Sequence, residues 1–238
     1  MKRHDIFLSV IYVLSDNLDQ IHKILKNTIQ VISPIVDDYE IIIVDNVSDK
    51  NKSASLLKKL TNDKELHNLQ VYVLNKEVAE NIASCIGLDK SLGDFVAVLN
   101  PFLDDISFLP KMLDKAVNNF DVIIAYNTNK HIGSFFYRFA RKIFDNLYKS
   151  LNKTTITKDI FPYRLFSRRV TNQILQDPYP EMMLRHLPTN LGYERVELNY
   201  SSEFRITLGT NFLYSVKKGL KFLISTSDAP MRIVSMLA

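Results

Sequence analysis

The sequence predicts an α/β protein: a mostly parallel sheet with helices packed on both faces. Three observations predict it. Short apolar runs rich in Val and Ile recur between polar boundaries, segments of helical period separate them, and the two alternate without a break through about residue 126. No apolar run reaches the roughly 18 residues that a membrane-spanning helix needs.

The first run, DIFLSVIYVL, follows a basic MKRH start, but Asp16 comes soon after it with no small-residue cleavage site between. It therefore reads as strand one and not as a signal peptide. YEIIIVDN, LQVYVLN, DFVAVLN and FDVIIAYN read as the next strands. The helical segments between them run from Leu18 to Ile32, Ala54 to Leu60, Ile82 to Leu92 and Ile106 to Ala116. After His131 the alternation stops. GSFFYRFARKIFDNLYKSL sets Phe135, Phe136, Phe139, Ile143, Phe144, Leu147 and Tyr148 on one helical face with Arg138, Arg141 and Lys142 largely opposite. Such an amphipathic helix packs on a sheet or lies in a membrane interface, and both remain open. A polar loop, the segment YRLFSRRVTNQIL, a turn DPYP, a strand YERVELNY and a basic, aromatic end complete the chain.

Composition excludes several classes. With 238 residues and 46% hydrophobic content, one main core is expected. The single cysteine, Cys85, cannot pair within the chain, which fits a reducing, cytoplasmic setting and excludes a Cys-based metal site. The five histidines show no metal-ligand spacing, and the six glycines form no phosphate-cradling loop, so dinucleotide and P-loop sites are out. A net charge of +4 without a basic, aromatic stripe gives no case for nucleic acid. The basic residues of the second half, among them Arg168, Arg169, Lys217, Lys218, Lys221 and Arg232, suit a solvated face, an anionic membrane surface or an anionic substrate.

FVAVLNPFLDD places Asn100, Asp104 and Asp105 just past a buried strand, at the carboxyl edge where open α/β sheets bind ligands. Taken in order, SVIYVLSDNLDQI, VDNVSDK, IGLDKSLGD, LNPFLDDI, PYRLFSRRV and STSDAPMRIVS resemble motifs of the family 2 glycosyltransferases of GT-A fold. The branch resembled moves a sugar from a nucleotide donor to a polyprenyl phosphate, as the dolichol-phosphate-mannose-synthase-like and GtrB-like enzymes do. The resemblance implies a GT-A-like domain over residues 1–212. Residues 213–238 then form an amphipathic segment that in such enzymes leads into the membrane. The sequence ends where those helices would begin, so either a shortened chain or a variant resting peripherally on the inner membrane face is expected.

The resemblance also implies site residues. Asp16, Asp45 and Ser48 would meet the donor nucleotide, Arg164 a phosphate, and Arg205 a closing loop. The family's DxD carboxylates hold Mg²⁺ or Mn²⁺ against the donor diphosphate, and here those positions are Asn100 and Phe102. A displaced metal site at Asp104 and Asp105, with Asn100 offering its carbonyl, is one expectation, and Asp105 and Arg164 are the catalytic candidates. Pro162 and Phe212 stand where the family has an acceptor-side carboxylate and a loop lysine. Two readings follow: a transferase using a nucleotide-sugar donor and a lipid-phosphate or glycan acceptor in cell-surface polysaccharide synthesis, or a non-catalytic GT-A-fold binding or scaffolding protein. A nucleotidyltransferase on a similar sheet fits less well, because its glycine-rich basic loop is missing near strand one.

Overall fold

Seven strands form one sheet in the order β3-β2-β1-β4-β6-β5-β7. They are β1 (His4–Leu14), β2 (Val36–Asp45), β3 (Leu69–Val73), β4 (Phe95–Leu99), β5 (Val122–Asn127), β6 (Tyr163–Ser167) and β7 (Arg195–Tyr200). The computed structural model describes residues 3–14, 20–46, 58–60, 62–63, 65–128, 163–186 and 192–202. The expected amphipathic helix after His131, the segment 213–238 and the boundary before it lie outside the described residues.

β1 pairs parallel with both β2 and β4, and β2 with β3. β6 runs antiparallel to both β4 and β5, while β5 and β7 are parallel. Six strands therefore point one way and β6 alone opposes them. The carboxyl edge gathers Leu14, Asp45, Leu99, Asn127 and Tyr200, together with the start of β6 at Tyr163.

Both faces of the sheet are covered, which is why β1 is buried without interruption from Leu8 to Leu14. On one face, helices α1 (Ile21–Ile32) and α3 (Leu109–Ala116) pack Ile21, Leu25, Met112 and Leu113 against Leu8, Val10, Ile41, Ile43 and Leu165. On the other, α2 (Glu80–Lys90), α4 (Arg168–Gln176) and α5 (Pro180–His186) pack Ala83, Leu88, Val170, Ile174 and Leu184 against Ile11, Ile42, Val96 and Phe166. Alternate strand residues divide between these two cores, as the two-residue strand period requires. Gly87 lets α2 lie close on β1: a Cβ there would stand 2.5 Å from the Ile11 side chain.

Two elements gain detail over the sequence reading. YRLFSRRVTNQIL divides at Ser167 into strand β6 and helix α4, and Ser167 caps the helix by accepting from the Val170 N–H. The proline-rich DPYP turn runs directly into α5. Arg168, offered above to a solvated face, an anionic membrane surface or an anionic substrate, donates to the Ser91 and Gly93 carbonyls and holds the loop before β4.

Candidate functional site

The carboxyl edge is built around the turn that follows β4. Asn100 closes it: its Oδ1 accepts from the Phe102 and Leu103 N–H groups at 2.9 and 3.2 Å, in the manner of an Asx turn. The Asn100 N–H in turn donates to Asp104 Oδ2 at 2.8 Å. Asp105 caps the short 3₁₀ turn Ile106–Phe108, with Oδ1 accepting from Ser107 N–H at 3.0 Å.

The same two carboxylates reach across to β7. Tyr200 donates its hydroxyl to Asp104 Oδ1 at 3.1 Å, and Ser202 donates to Asp105 Oδ2 at 2.8 Å. The Asn127 amide secures Ser202, donating to its carbonyl at 3.1 Å and accepting from its N–H at 3.3 Å. The Tyr200 ring stacks on Phe108 with centroids 4.7 Å apart and meets Tyr163 edge-on at 6.4 Å. Burial, then the charge of Asp104, pushes the Tyr200 phenol far above its ordinary value, so it stays a donor. Tyr163 is fully buried beneath the turn; its hydroxyl has no hydrogen-bond partner among the described residues, and burial raises its pKa as well.

Beside the turn lies a half-open cleft of about 360 Å³ lined by Asp105, Ser107, Phe108, Lys111, Asn199, Tyr200 and Ser201. The ammonium of Lys111 sits 5.8 Å from the Phe108 ring centroid.

The other expected site residues separate. Asp45 ends β2 at the same edge and is 1% exposed. Its neighbour Asn46 holds the segment leading into α2: the amide donates to the Val78 carbonyl at 2.9 Å and accepts from the Val78 N–H at 2.8 Å. Arg164 is the second residue of β6 and lies on the opposite face from the acidic turn, beneath α5, where Nη1 donates to the Leu184 carbonyl at 2.7 Å. Burial lowers its pKa to about 10, which leaves it charged at neutral pH, and its Nε finds no partner among the described residues. The structure thus brings Asn100, Asp104 and Asp105 together and does not bring Arg164 to them. Asp16, Ser48, Pro162, Arg205 and Phe212 lie outside the described residues.

Tyr163, Tyr200, Ser202 and Asn127 escaped the sequence reading. Tyr200 left a trace: Val196, Leu198 and Tyr200 alternate in register at the end of a strand. Ser202 left none, because its partner is 97 residues away.

A mostly parallel sheet with one antiparallel strand, and polar turns gathered at its carboxyl edge, is the GT-A architecture. Residues 10–175 match glycosyl transferase family 2, and the chain belongs to that family. An uncharacterised glycosyltransferase of Bacillus subtilis (strain 168) is 23% identical over 99% of this chain and 72% of its own length. The undecaprenyl-phosphate 4-deoxy-4-formamido-L-arabinose transferase of Proteus mirabilis (strain HI4320) is 21% identical over 97% of this chain and 71% of its own. Among solved structures, glucosyl-3-phosphoglycerate synthase from Mycobacterium tuberculosis, in complex with Mn²⁺, uridine diphosphate and phosphoglyceric acid, shares the fold. It superposes with a TM-score of 0.54 at 13% identity, over 93% of this chain and 77% of that one. A mannosyltransferase from Pyrobaculum calidifontis, in complex with GDP-Man and Mn²⁺, gives a TM-score of 0.52 at 11% identity, over 85% and 59%.

Among the described residues, the turn after β4 gathers no donor set of the kind a divalent cation needs. Phe102 offers no ligand atom, and Asn100 Oδ1 is turned back into its own turn. Among the described residues no three His, Cys, Asp or Glu side chains gather where they could hold a metal ion.

Proposed function

We propose that this protein transfers a sugar from a nucleoside-diphosphate donor to a polyprenyl-phosphate acceptor, at the carboxyl edge of the sheet. The observation that carries the reading is the polar edge itself: Asp45, the Asn100–Asp105 turn and the adjoining cleft, in a chain of this family. The relative from Proteus mirabilis supports the acceptor class, and the nucleotide complexes of the structural neighbours support the donor class.

The chemistry fits a site with its carboxylates committed elsewhere. A phosphate monoester has its second pKa near about 6, so at neutral pH it arrives as an anion and needs no general base. Its oxygen attacks the anomeric carbon, the bond from that carbon to the nucleoside diphosphate breaks, and the electron pair leaves on the diphosphate with inversion. No proton moves in that step. A hydroxyl acceptor would need a base, and Asp104 and Asp105 already serve the fold.

The nucleotide contacts of Asp16, Asp45 and Ser48, the phosphate contact of Arg164 and the loop contact of Arg205 are part of this proposal. So is peripheral membrane association through Lys217, Lys218 and Lys221. No helix among the described residues is long and apolar enough to cross a membrane.

The test is transfer itself. Purified protein is incubated with UDP- and GDP-sugars and undecaprenyl phosphate in detergent, and the lipid fraction is examined for a sugar phosphate by mass spectrometry. A sugar-bearing lipid confirms the reading. Nucleotide binding without product over the whole donor panel favours the second reading, a GT-A-fold binding or scaffolding protein, which Asn100 and Phe102 in place of carboxylates recommend. Absence of nucleotide binding overturns the transferase.

A further inference from the structure

We infer that the acidic turn is a latch that fastens the end of β7 over the site, and that the donor diphosphate is taken up without a divalent cation at this turn. The second clause rests on the transferase reading; the first does not.

Occupancy alone does not decide the matter, since a carboxylate oxygen can hold a hydrogen bond and a cation together. Direction decides it. Mg²⁺ and Mn²⁺ gather oxygens around one point, and a carboxylate pair that holds them converges there. Asp104 and Asp105 are instead held to separate donors. Asp104 turns back to the Asn100 N–H and across to Tyr200, while Asp105 turns forward to the Ser107 N–H and across to Ser202. In these four bonds each oxygen meets a different donor. The Asn100 carbonyl looks inward at a fifth and sixth, the N–H groups of Phe102 and Leu103.

What these bonds accomplish is long-range. Two of the four are local and shape the turn; the other two span 96 and 97 residues and join the turn after β4 to the end of β7 and the residues just past it. Ser202 is tied in the same place to Asn127 at the end of β5, and the Thr128 N–H and hydroxyl both donate to the Tyr200 carbonyl. Drawing either carboxylate round to a cation would break one of the six bonds that now hold this strand end, and one of the only two that tie it to the turn. The turn keeps its acids, displaced by a few residues from the DxD positions, because they serve as acceptors for β7.

Mn²⁺ uptake and thermal stability together test this. Wild-type protein is titrated with Mn²⁺ alone, the free ion being followed by its paramagnetic resonance signal. Tyr200→Phe and Ser202→Ala are melted beside it, and UDP binding is compared in Mn²⁺ and in EDTA. The expected result is no stoichiometric Mn²⁺ uptake, Tm lowered by roughly 3–10 °C in each variant, and UDP binding unchanged by EDTA. One Mn²⁺ per chain that is lost on Asp105→Asn overturns the inference, as does a Tm that neither variant moves. Failure to bind UDP at all counts against the transferase reading, and the Mn²⁺ titration and the melts still judge the latch.

Discussion

At Asn46 an amide does what a carboxylate could not. It donates to the Val78 carbonyl and accepts from the Val78 N–H, and at 3% exposure it has no water to fall back on. Asn46→Asp keeps the shape of the side chain, yet it faces one carboxylate oxygen toward the Val78 carbonyl and leaves that acceptor without its donor. A loss of about 1–3 kcal/mol is expected, read as a lower urea midpoint with an unchanged slope; a midpoint at or above wild type would show that the clamp contributes nothing. Arg164 poses the converse problem. The fold keeps a charged guanidinium at 8% exposure with Nε unpartnered among the described residues, a costly arrangement. Arg164→Met removes the charge and keeps most of the volume. If Arg164 meets a phosphate, this variant keeps its Tm within a few degrees and loses transfer at least about tenfold. Transfer at the wild-type rate would confine Arg164 to the fold.

At the scale of elements, the loop before β4 shows how closely two segments approach. A Cβ on Gly93 would stand 2.5 Å from the Ser9 backbone nitrogen and 2.8 Å from the Phe7 carbonyl, while Arg168 grips the Gly93 and Ser91 carbonyls from the other side. Glu40, buried in β2, completes the join by accepting from Ser9 Oγ and the Leu92 N–H at 2.6 Å each. Gly93→Ala should therefore cost about 1–3 kcal/mol; a melt within a degree of wild type would mean that the loop can yield. This corner also shows what could be read from residues alone. The inner parallel strands were legible because two-sided burial writes continuous apolar runs, and α1 and α3 because one-sided burial writes a helical period; at α2 the Ile82 and Leu92 that bounded the expected helix are exposed, and Ala83, Cys85 and Leu88 are buried instead. β6 was not, since five residues running straight into a helix offer no boundary except Ser167. At the site, the turn at Asn100 was legible from Asn-Pro and the paired acids after an apolar run. The roles of its acids were not, for each is decided by a hydroxyl nearly a hundred positions away, which local pattern cannot see.

For the molecule as a whole, the buried ionisable groups predict an alkaline limit. Burial, first among the causes, pushes the Cys85 thiol from 9.0 up to about 12, and it likewise raises the phenols of Tyr163 and Tyr200 above their ordinary 10.0. All three have folded values above their unfolded ones, so the fold favours their protonated forms. Their contribution is fully present below about pH 9 and is lost as the pH climbs from there toward 12, because the unfolded chain ionises first. Urea midpoints should hold level up to about pH 9 and fall steadily above it. Near-ultraviolet absorbance gives an independent reading: of the eleven tyrosines, at least Tyr163 and Tyr200 should stay un-ionised until the chain unfolds. If every phenol titrates while the circular dichroism of the fold persists, the Tyr200 to Asp104 contact is open to water and the turn is looser than its geometry. A lag of two or more places both tyrosines under the sheet edge, where Tyr200 can serve Asp104 only as a donor.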